Sequence, residues 1–169
     1  MIKLAWTLWG KKGKGEIKKL ISEEKEVSRK EIKIVEQARR EFILTREGIG
    51  RSQTSLANAL IYTKKLEKLA QRLESDLLDM RNGSKDNRLV VLSNDELRVI
   101  DYVKDIKYRI QSIIEDMGGI EKEGHESHDW ARTTAPGIPY KLAALHENLV
   151  ELFALEEAVE KLMEEWVNQ

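Results

Sequence analysis

Cysteine is absent from the 169 residues, which excludes disulfides, thiolate metal sites and a cysteine nucleophile. Proline occurs only at Pro136 and Pro139, so little in the chain forbids helix. No apolar run approaches a membrane span, and no signal-like apolar block follows the first lysine. The expectation is a soluble, cytoplasmic protein. Catalytic motifs are missing too: "GKKGKGE" lacks the Ser/Thr and preceding strand of a phosphate loop, and there is no Gly-x-Ser-x-Gly elbow. The sequence therefore reads as non-enzymatic.

What is abundant is charge, at 35%, mostly Glu and Lys, which with so few breakers favours helix. The same enrichment is compatible with a thermophilic source. Residues 1–80 hold 18 Lys+Arg against 12 Asp+Glu, a balance of +6, and residues 81–169 hold 11 against 18, a balance of −7. Such polarity fits neutralisation within one bundle, antiparallel self-association, or a basic end facing an anionic surface.

Apolar residues recur at helical steps in four segments, about 15–47, 54–81, 94–117 and 139–167. The first carries Ile17, Leu20, Ile21, Val27, Ile34, Val35, Ala38 and Phe42, and Gly48 and Gly50 supply a stop. In the second, Leu56, Ala59, Thr63, Leu66, Ala70, Leu73, Leu77 and Met80 alternate steps of three and four, a heptad seam that Thr54 or Ser52 would cap. The two read as a long helical hairpin, with Leu56, Leu66, Leu73 and Leu77 as core or self-association contacts. Leu89–Leu92 reads as an extended connector, and Ser93 with Glu96 as a capping box starting the third segment. Pro139 suits the first turn of the fourth, where Glu156, Glu157 and Glu160 read as its wet face. The predicted fold is all-α: a four-helix bundle over 15–169, with a basic, tryptophan-bearing segment at 1–14 and a long loop at 118–138.

Two places stand out as candidate sites. On a helix, Ile2, Ala5, Trp6 and Trp9 share a face, with Lys11, Lys12, Lys14, Lys18 and Lys19 as a basic patch beside it. That pairing suits docking on protein, or contact with anionic lipid or nucleic-acid phosphates and bases. The loop holds His125, His128 and Asp129, a His-x-x-His plus carboxylate that could bind a divalent metal, with His146 a candidate to complete the set. The spacing matches neither helical His-Glu-x-x-His nor the paired Glu-x-x-His of di-iron bundles. Trp130 is placed to anchor the loop.

The basic helical hairpin after "LWGKKGK", followed by acidic helices, resembles the ESCRT-III membrane-remodelling proteins in charge layout over about the first 80 residues. The resemblance implies membrane contact and filament formation. The tight stripe of the last segment departs from that family's extended tail. The leading expectation is a helical assembly or adaptor protein, a homo-oligomer or protein partner, with no small-molecule substrate. A peripheral membrane or nucleic-acid binder and a metal-binding bundle are the alternatives.

Overall fold

The computed structural model describes the backbone of residues 2–168 and the side chains of residues 13–168. Four long helices build it: α1 (Ile2–Glu41), α2 (Arg46–Asn82), α3 (Asn87–Gly118) and, after a short α4 (His125–Thr133), α5 (Ile138–Val167). α1 and α3 each pack on α2 and α5, so consecutive long helices are neighbours in an up-down-up-down bundle. Cross-helix bonds fix the antiparallel sense: Ser55 to Glu41 and Thr63 to Glu31 between α1 and α2, Gln53 to Ile114 and Lys107 to Glu67 between α2 and α3, Lys141 to Asp116 and Asn148 to Asp105 between α3 and α5.

Several boundaries differ from the sequence reading. α1 is helical from Ile2, ahead of the expected start at about residue 15, and Gly10, Gly13 and Gly15 lie inside one helix. Isolated glycines weaken a helix without ending it. The turn between α1 and α2 falls earlier than Gly48: Thr45 caps α2, its hydroxyl accepting from Gly48 N at 3.0 Å. Ser52 and Thr54 do not cap; each donates to a backbone carbonyl, Ser52 to that of Ala38 and Thr54 to that of Gly50.

The connector expected at Leu89–Leu92 is the first part of α3, capped by Asp86, which accepts from Arg88 N at 3.0 Å. Leu89 and Leu92 are buried, and burying them costs the chain less as helix than as an unpaired strand. The loop at 118–138 is also mostly helical, with a 3₁₀ turn at Gly119–Glu121, α4, and a second at Ala135–Gly137. Trp130 anchors it as expected. The indole is 8% exposed and donates to the Asp116 carbonyl, and a Cβ on Gly119 would stand 2.0 Å from the ring. Only glycine admits that approach.

The core forms two apolar clusters along the bundle. The larger, from Val35 and Leu56 to Ile106 and Leu145, reaches Trp130. The smaller holds Ile17, Leu73, Leu77, Leu92, Met163 and Trp166 at the other end. Between them α1, α3 and α5 place polar side chains in the interior, while α2 stays apolar.

Candidate functional site

Four glutamates interrupt the apolar interior: Glu24 and Glu31 on α1, Glu96 on α3 and Glu156 on α5, each no more than 2% exposed. Ser28 on α1 and Thr63 on α2 are fully buried with them. The helices deliver these side chains because each continues a core seam. On α5 the buried positions run Leu145, Leu149, Leu152, Glu156, Val159, Met163, so Glu156 stands where a leucine would. On α3, Glu96 fills the same place between Leu92 and Val99. On α1, Glu24, Ser28 and Glu31 occupy three successive seam positions between Ile21 and Val35.

The acids face one another. Glu24 lies close enough to Glu96 and Glu156, and Ser28 close enough to Glu156, to influence their titration. Among the described residues no ion pair reaches any of the four: Lys25, next to Glu24, turns to the rim and pairs with Glu160 at 3.2 Å and Glu157 at 3.6 Å. Among the described residues, both oxygens of Glu96 and of Glu156, one of Glu24 and one of Glu31 have no donor, and the Ser28 hydroxyl has no partner. A proton on one acid supplies the donor its neighbour needs. Thr63 leads to the same conclusion, because its single hydroxyl hydrogen is shared between Glu31 and the Ala59 carbonyl. With that hydrogen on Ala59, a protonated Glu31 donates to Thr63.

Burial drives the titration. Loss of solvent pushes Glu31 up to about 8, against a smaller opposing effect of the Thr63 bond. Glu96 and Glu156 are held well above the usual carboxylate range, first by burial and then by repulsion from Glu24, with Glu74 adding to Glu96 and Glu31 to Glu156. Glu24 is raised by burial. The layer can thus hold protons at neutral pH; it is not a set of four fixed negative charges.

The residues singled out from sequence lie elsewhere. Leu56, Leu66, Leu73 and Leu77 are fully buried within the one chain, so they are core and not an available surface. The side chains of Trp6, Trp9, Lys11 and Lys12 lie outside the described residues. Lys18 and Lys19 are exposed, whereas Lys14 turns inward, 4.5 Å above the Trp166 ring and donating to its carbonyl. His125, His128 and Asp129 are exposed on α4, and Asp129 pairs with Arg132. His146 faces Glu36 on α1 at 3.1 Å. Among the described residues no group of three or more His, Asp or Glu is placed to hold a metal ion.

Sequence reading missed the acid layer and placed Glu156 on the wet face, where the structure buries it completely; Glu157 and Glu160 do lie toward solvent. Ser93 and Glu96, read as a capping box, are both core residues of α3, with Ser93 donating to the Leu89 carbonyl. A signal was present. Each acid keeps the three-and-four step of its helix, and in α1 the half-buried Val27 and Ile34 drew the stripe one position off that step. Comparison with family models, with curated proteins and with solved structures gives no match. Among the described residues no helix is long and apolar enough to cross a membrane.

Proposed function

We propose that this protein is a non-enzymatic helical adaptor or assembly subunit, and that the first turns of α1 are its docking element. One observation carries the reading. α1 meets the last core residues of α2 and α5 at Gly13, whose Cβ would touch Met80, and at Lys14, which covers Trp166, yet the helix begins at Ile2. The turns before Gly13 contain Trp6 and Trp9, at a spacing that puts them on one helical face. The bundle's own seam leucines are buried within the chain and not open to a partner, whereas paired tryptophans are anchors of the kind that suits contact with a second copy or another protein.

Sedimentation across micromolar concentrations tests it. Self-association that disappears in a Trp6→Ala/Trp9→Ala variant supports the reading; a monomer at every concentration, together with pull-down partners unchanged by removal of residues 1–10, defeats it. A second reading, contact with an anionic surface, is favoured by the exposed Lys18 and Lys19 on the same helix. It is distinguished by binding to anionic vesicles or an oligonucleotide that falls with added salt.

A further inference from the structure

Glu24, Glu96 and Glu156, one from each of three helices, sit where the two apolar clusters part, and Glu31 lies a step further along, inside the larger cluster. The smaller cluster is therefore joined to the larger one through side chains that satisfy each other only when some carry hydrogen. We infer that the layer is a proton-operated clasp: with Glu24, Glu31, Glu96 and Glu156 protonated the smaller cluster stays packed, and their deprotonation releases that end of the bundle first. This stands apart from the docking reading and is tested without it.

The surroundings of the layer decide the sign. From α1 it receives Glu24, Glu31 and the Ser28 hydroxyl; from α2 the Thr63 hydroxyl and, toward Glu96, the half-buried Glu74; from α3 Glu96; from α5 Glu156. Lys25 is held at the rim by Glu157 and Glu160, also of α5. Ionised together, the four acids would place like charges in a dry interior, and the gap would have to open to admit water.

In the unfolded chain these acids release their protons near the ordinary glutamate value of 4.5, whereas in the bundle Glu31 holds its proton up to about 8. The native state binds more protons in that window, so stability is full below it and falls as pH rises through it. Each proton released in excess by the unfolded chain lowers Tm by about 3–5 °C per pH unit.

The test uses the full chain, with thermal melts and hydrogen exchange at about pH 5 and about pH 8.5, corrected for intrinsic exchange. Expected is a falling Tm, with protection lost first in the segments around Leu77, Leu92 and Met163 and later around Leu56, Ile106 and Leu145. A Glu96→Gln/Glu156→Gln variant keeps shape and hydrogen-bond donors and should flatten the dependence; a Glu31→Gln variant, whose partner Thr63 lies one step along the bundle, provides a second route if the first does not fold. Equal loss of protection at both ends overturns the inference, as does a Tm indifferent to pH or unchanged slopes in the Gln variants. Recovery of Tm at alkaline pH by Mn²⁺ or Mg²⁺, absent from the Gln variants, would also overturn it, because the layer would then hold a cation in place of protons.

Discussion

At the scale of single residues, contacts in the interior leave little slack. Among the described residues Thr63 is the hydroxyl bonded to Glu31, and Thr63→Val keeps the shape while removing that bond. An unsatisfied buried polar group costs about 1–3 kcal/mol, and chemical denaturation should show a loss of that size. Glu31 would then need its proton still more, so the loss should be larger at alkaline than at acid pH. Gly119 is held by the indole above it. In Gly119→Ala the new methyl lands on ring carbons that are wedged against the bundle, not on a flexible tip. The expected destabilisation is about 1–3 kcal/mol, with a weakened near-UV dichroism band where the indole tilts.

At the scale of elements, helix starts depend on caps that the sequence only half reveals. Asp86 accepts from Arg88 N and pairs with the Arg88 guanidinium at 3.1 Å, and these bonds hold its carboxyl below the usual range. Asp86→Ala should therefore cost about 1 kcal/mol at neutral pH, measured by urea melts. That penalty should vanish as pH falls through the lowered value, because the wild-type cap is then protonated and lost. The four long helices were legible, since apolar residues recur at three- and four-residue steps along most of each one. Their starts were less so: Ser93–Glu96 has a capping box's spacing, yet tertiary packing uses both side chains as core. The acids were hidden for a related reason. A glutamate in a sequence this rich in charge resembles a solvated one, and only its place in the three-and-four rhythm, set by neighbours on other helices, marks it as interior.

At the scale of the whole molecule, the seam leucines decide stability and not association. Leu66→Ala should lower stability by about 2–5 kcal/mol and leave the sedimentation coefficient of the folded protein unchanged, since that side chain is wholly enclosed by its own chain. Acid weakens the Asp86 cap while alkali weakens the interior, so the bundle should be sturdiest in mildly acidic water. Its two ends also differ in a way that can be watched. Trp130 lies in one apolar cluster and Trp166 in the other. With Trp6 and Trp9 changed to phenylalanine, and one of the remaining pair changed likewise, the surviving indole's emission becomes a local gauge, so each end can report by its own colour when water arrives.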